Sequence, residues 1–129
     1  MEHLGYDSLN EEVFRQFPEL SQPSYADLMI DAKEGLYIVF GTLFNRYLVD
    51  LVEGANQESM QRAAAFLEEM ALAKDERVPD MLSLEVLPTL LQKQSIIDAY
   101  WPLLGAATQH RLRCLPPRFW RKVELPSFK

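Results

Sequence analysis

A chain of 129 residues, 48% hydrophobic and 25% charged, is one ordinary globular domain whose composition excludes wholesale disorder. Its formal charge of −6 is unevenly placed: residues 1–34 carry eight acids against Arg15 and Lys33, whereas residues 101–129 carry Glu124 against six bases. An acidic body of this kind repels phosphate backbones, which argues against nucleic acid as the main partner and for a basic protein.

The acidic N-terminus lacks the basic start and apolar run of a secretory signal, and no apolar run approaches the ~18 residues of a spanning helix. A lone cysteine, Cys114, excludes an internal disulfide and fits a reducing compartment. A cytoplasmic protein without membrane contact is expected.

In chain order, Ser8 stands three residues before Glu11, the capping-box spacing, and Leu9, Val13, Phe14 and Phe17 recur at helical intervals up to Pro18. A short second helix is expected over residues 25–35, with Gly35 as its terminator. On it Asp27, Asp31 and Glu34 fall at i, i+4 and i+7, an acidic stripe. "LYIVFGTLFNRYL", residues 36–48, has the β-branched and aromatic content of a strand, yet it runs on without a turn signal to Gly54, far beyond a usual strand. A helix over 36–53 is predicted, buried nearly all round in its first half and capped by Gly54. Gly41 within it implies a neighbouring backbone passing close.

Met60, Ala63, Ala64, Leu67 and Met70 mark a further helix after Asn56. Asp75 is the expected N-cap of the next, with Pro79 tolerated in its first turn and Pro88 bending or stopping it. Two short helices follow, split at Gly105, the first capped by Ser95 and disturbed by Pro102. Residues 116–129, with three prolines, predict an extended basic tail pinned to the body by Phe119, Trp120 and Phe128. No stretch alternates at period two. The expected fold is therefore all-α: six to seven antiparallel helices over a single domain, residues 1–115, arranged as a HEAT-like layer or a compact bundle, followed by the tail.

Chemistry-bearing residues are sparse. His3 and His110 have no ligand partner at metal spacing, and no glycine cluster forms a phosphate loop. Cys114 has arginines at 111 and 113 that would lower its pKa, but no histidine is read as placed to activate it. Glu68 and Glu69 lack the histidine of a di-iron helix and read as a solvated face. No catalytic residue, metal or cofactor is expected, and the protein is read as no enzyme.

Phe40, Gly41, Leu43, Tyr47 and Leu48 form an FG-x-L-x-x-x-YL segment, and Phe66, Leu67, Glu68, Met70 and Ala71 an FLE-x-M-A segment. Asp75 and Glu76 then make an acidic turn, Val78, Leu82, Val86, Leu87 and Leu90 a leucine-rich helix, and Gly105 and Thr108 a G-x-x-T step. This pattern over residues 36–115 resembles a family of small bacterial helical immunity proteins encoded beside polymorphic toxins. Arg46 departs from it, standing where a proline would precede Tyr47. The resemblance implies a non-enzymatic inhibitor that occludes a cognate secreted or interbacterial toxin domain. Toxins acting on nucleic acids or nucleotides tend to be basic around their clefts, and an acidic inhibitor is steered to such a cleft. The surface chemistry then nominates Asp27, Asp31 and Glu34 as contacts, with Tyr25, Tyr37, Asn45 and Arg46 as nearby anchors. Two rival readings are a helical-repeat adaptor for another protein and a small hydrolase built on Glu68 and Glu69.

Overall fold

The helical spacing of Leu9, Val13 and Phe17 buries all three in the computed structural model, which describes residues 4–21 and 35–124. They belong to α1, Leu9–Gln16, and to the residue that ends it. A single tight turn, Tyr6–Ser8, leads into α1. The predicted capping box does not form: Ser8 sits at φ −112°, ψ 6° and its hydroxyl donates back to the Gly5 carbonyl. An N-cap needs an extended backbone to aim its oxygen into the first turn, and the tight turn denies Ser8 that conformation. Residues 25–34 of the expected helix, with its acidic stripe, lie outside the described residues; Gly35, its expected terminator, is extended at φ −64°, ψ 152° and stands at the N-cap of the helix that follows.

Residues 36–53 are helical throughout. Leu36–Ile38, Val39–Phe44 and Asn45–Glu53 run on without a break as α2, the middle piece being a wider π-turn. Its buried apolar residues are Val39/Phe40, Leu43/Phe44, Tyr47/Leu48 and Leu51, a strict spacing of four. In a uniform α-helix a four-residue repeat drifts by about 40° each time. The π-turn holds more residues per turn and takes up that drift, keeping the stripe on one face. Gly41 faces outward, and what it approaches is a side chain rather than a backbone: an added Cβ would lie 3.3 Å from the Glu85 Oε1.

α2 ends in a Schellman turn. The N–H of Asn56 donates to Leu51 and that of Ala55 to Val52. The left-handed residue is Ala55, at φ 52°, while Gly54 stays right-handed. Gly54 is the C-cap, as predicted, but the left-handed conformation for which glycine is suited falls one residue later. Asn56 then turns about and caps α3, Gln57–Ala71, accepting from the Ser59 N–H at 3.2 Å.

α4 is built from Arg77–Met81, a π-turn Leu82–Val86 and Leu87–Leu90. The N-cap position falls on Glu76 rather than the expected Asp75, but the Asp75 carboxylate still guards the helix start, accepting from the Arg77 N–H at 3.2 Å. Pro79 falls in the first turn, as its missing N–H requires. Pro88 cannot donate to the carbonyl four residues back, yet the helix does not stop there: a π-turn lies immediately before it, and Val86 is distorted to φ −108°. α5, Gln94–Tyr100, starts ahead of Ser95, which therefore lies inside the first turn and caps nothing. Pro102 ends it, and the chain tightens into the turn Trp101–Leu103. α6, Ala106–Arg113, begins after Gly105.

The tail is pinned as far as residue 124. A tight turn spans Pro117–Trp120, Val123 is buried in the core, and Gln94 exchanges two hydrogen bonds with the Glu124 backbone.

α3 packs against α2, α4 and α6. Contact with α6, far along the chain, distinguishes a compact bundle from a solenoid layer in which units meet only their neighbours. Phe17, Phe44, Tyr47 and Phe66 form the centre, their rings 5.5–6.2 Å apart in tilted and edge-on pairs, each pair worth about 0.5–1.5 kcal/mol beyond simple burial. The Tyr100 hydroxyl, deep in the core, donates to the Leu48 carbonyl at 2.7 Å and ties α5 to α2. Among the described residues there is no strand, and no helix is long and apolar enough to cross a membrane.

Candidate functional site

Four partly buried carboxylates, Glu68, Glu69, Glu19 and Asp75, are committed to structure. Glu68 projects from α3 onto the N-terminus of α6. Its Oε2 accepts from the Ala107 N–H at 3.1 Å, and its Oε1 from the Thr108 N–H and hydroxyl at 2.9 and 2.7 Å. Those N–H groups have no partner inside their own helix, and the helix dipole favours negative charge there. Gly105 makes room for the carboxylate: a Cβ at that position would lie 2.5 Å from Glu68 Oε1. Glu68 is therefore a long-range helix cap rather than part of a solvated face. Glu69 turns the other way, accepting from Gln16 on α1 at 3.4 Å. The two carboxylates diverge, so they do not face one cleft as a hydrolase reading requires.

Glu19 accepts from the Tyr47 hydroxyl and, at 2.6 Å, from Arg62, whose guanidinium also reaches the Gln16 carbonyl and the Ser59 hydroxyl. Burial pushes the Glu19 carboxyl upward, but hydrogen bonds from Tyr47, the backbone and Arg62 outweigh it and leave the group below its ordinary range. Burial, then Glu19, pushes the Tyr47 phenol far up. Asp75 is held well below the carboxylate range by its Arg77 and Tyr6 N–H bonds. It stitches the Tyr6–Ser8 turn to α4.

What remains open is a surface built around Leu84 on α4, which is 69% exposed. On one side a groove of about 210 Å³ contains Tyr6, Tyr37, Arg77 and Met81. Arg77 lies 4.8 Å over the Tyr6 ring. Burial and the neighbouring Tyr37 raise the Tyr6 phenol. On the other side a groove of about 420 Å³ runs between α4, α6 and the Pro117–Trp120 turn. There Cys114 and His110, one helical turn apart, bring Sγ and Nε2 to 3.6 Å. A histidine is thus placed beside the thiol after all, a relationship readable from the i, i+4 spacing alone. Among the described residues no hydrogen bond orients the other ring nitrogen of His110, so the third member of a nucleophilic triad is not formed there.

Of the anchors nominated from sequence, Tyr37 is 53% exposed and lies on this surface. Arg46 is exposed on a different groove of α2 and pairs loosely with Asp50 at 3.9 Å. Asn45 is buried, donating to the Glu85 carbonyl at 2.7 Å and so joining α2 to α4; it is a packing residue. Tyr25, Asp27, Asp31 and Glu34 lie outside the described residues. Leu84 itself has no sequence signal, because its helix carries apolar residues on nearly every face. No group of three or more His, Cys, Asp or Glu among the described residues is arranged to hold a metal ion.

Residues 10–121 match one family model, described as a domain of unknown function (DUF7674). No curated protein and no solved structure matches the chain.

Proposed function

The chain belongs to the DUF7674 family, and from the open surface around Leu84 we propose that it is a non-enzymatic immunity protein, which binds a cognate toxin domain and neutralises it by occlusion. The observation that carries the binding part of this reading is that Tyr37 and Leu84, both exposed, line one groove. Large apolar side chains left in water gain most by being covered, and aromatic anchors dominate protein interfaces. The toxin part rests on the FG-x-L-x-x-x-YL, FLE-x-M-A and G-x-x-T pattern. The acidic head, a balance of −6 over residues 1–34, supplies long-range attraction to a basic cleft. Contact by Asp27, Asp31 and Glu34 belongs to the same proposal, as does contact by the exposed Tyr37 and Arg46.

Coexpression with the product of an adjacent toxin gene tests it. Rescue of the cell and co-elution of the purified pair are expected; a cell that dies, or proteins that elute apart, overturns it.

A further inference from the structure

The 420 Å³ groove differs in chemistry from the acidic head. Its floor is apolar: Leu84, Leu115, Pro116 and Phe119. Its rim is cationic. Arg111 is aimed by bonds to the Pro79 carbonyl and the Ser83 hydroxyl, at 3.3 and 3.0 Å. Arg118 lies 4.9 Å over the Phe119 ring. No carboxylate lines the groove, and neither arginine has a carboxylate partner among the described residues. Two oriented guanidiniums beside an apolar floor complement carboxylates flanking a bulky apolar side chain.

We infer that this groove docks an acidic peptide segment carrying a leucine or phenylalanine anchor: the anchor covers Leu84 and Phe119, and the flanking carboxylates meet Arg111 and Arg118. A nucleic acid fits less well. Its phosphates would meet a body of net charge −6, and for stacking the described lining offers the Phe119 ring and the small imidazole of His110, without tryptophan or tyrosine. The inference shares Leu84 with the surface used in the immunity reading but does not rest on it: Arg111, Arg118 and Cys114 belong to this groove alone, and the peptide test reads them without a toxin, so either can fail alone.

Cys114 lines the groove, is exposed, and is the chain's sole cysteine, so its alkylation by iodoacetamide reports occupancy. The probe is the synthetic peptide Asp-Glu-Leu-Phe-Asp-Glu-Leu, set against the same peptide with lysine in place of every acid, a single-stranded DNA oligonucleotide, and phosphatidylglycerol vesicles. The acidic peptide should slow alkylation saturably, and Arg118→Glu should weaken that protection about tenfold, with added salt acting in the same direction. Leu84→Asp, at a position 69% exposed, should also weaken it while the melting temperature stays that of the parent. Absence of protection, equal protection by the lysine peptide, stronger protection by DNA or vesicles, or parental affinity in both variants would overturn the inference.

Discussion

Glu68 and Thr108, forty residues apart, are joined by two hydrogen bonds to one carboxylate oxygen, from the Thr108 amide and from its hydroxyl. Two separate motifs of the sequence, FLE-x-M-A and G-x-x-T, are thereby the two halves of one contact. The first brings the carboxylate; the second brings a helix start with no side chain in the way.

That contact predicts a coupled pair of substitutions. Glu68→Ala leaves the first N–H groups of α6 without their acceptor and should cost about 1–3 kcal/mol. Gly105→Ala should cost at least as much as a comparable overpacking, about 1–3 kcal/mol, because its Cβ meets the Glu68 Cγ at 2.8 Å. In the double variant the obstructing atoms are gone, so the total should fall short of the sum by about 1 kcal/mol or more. Urea unfolding of the four proteins checks it, and strict additivity would show that the two positions do not meet.

Ala55 holds the left-handed position that glycine takes without strain. Ala55→Gly should raise stability by about 0.5–1 kcal/mol, an unusual sign for a glycine substitution, since relief of strain exceeds the added freedom of the unfolded chain. Thermal melting of the variant beside Gly54→Ala checks the conformations: Gly54 is right-handed, so alanine is tolerated there without strain, and a fall in stability on Ala55→Gly would rule out strain at Ala55.

Glu19 contributes stability with a definite pH sign. Its carboxyl titrates below the ordinary 4.5 when folded, so the folded state binds fewer protons than the unfolded one through that window. The contribution is fully present above the unfolded value and is lost as pH falls through the lower folded value. The stability difference between the parent and Glu19→Gln should therefore be largest near neutral pH and shrink progressively below about pH 4.5. A difference that holds constant down to pH 2 would remove Glu19 from the account.

Tyr37 and Asn45 should separate binding from folding. Tyr37→Ala and Leu84→Ala alter exposed side chains and should leave stability within about 0.5 kcal/mol while weakening co-elution with a partner. Asn45→Ala deprives the Glu85 carbonyl of its donor and should cost about 1–3 kcal/mol without a separate effect on binding. Melting curves and co-elution of the same variants read both outcomes.

The helices were legible because their signal lies in contiguous residues: Leu9, Val13 and Phe17 need only the helical period to share a face, and the run from Leu36 to Glu53 is too long for a strand. Cap residues were legible only where the backbone was free to adopt the cap geometry. Asp75 is a partial case, since its carboxylate reaches the Arg77 N–H although Glu76 holds the N-cap position; Asn56, for which no cap is read from the sequence, caps α3. Ser8 and Ser95 carry the same chemistry but sit in a tight turn and inside a first turn, where their oxygens cannot serve the helix end. The wide turns of α2 and α4 were not anticipated, although a four-residue apolar spacing underlies the one and Pro88 lies just after the other.

Composition, charge placement and the 3.6-residue period were enough to establish an all-α chain, its approximate helix order, and its acidic head and basic tail, since each is a property of residues near one another along the chain. The roles of Glu68, Asn45, Glu19 and Leu84 were decided by tertiary packing. A carboxylate reads as solvated until a helix N-terminus arrives from forty residues away, and an amide reads as an anchor until a carbonyl on the facing helix takes it. A leucine among leucines becomes a surface feature only when the bundle leaves its side of the helix uncovered.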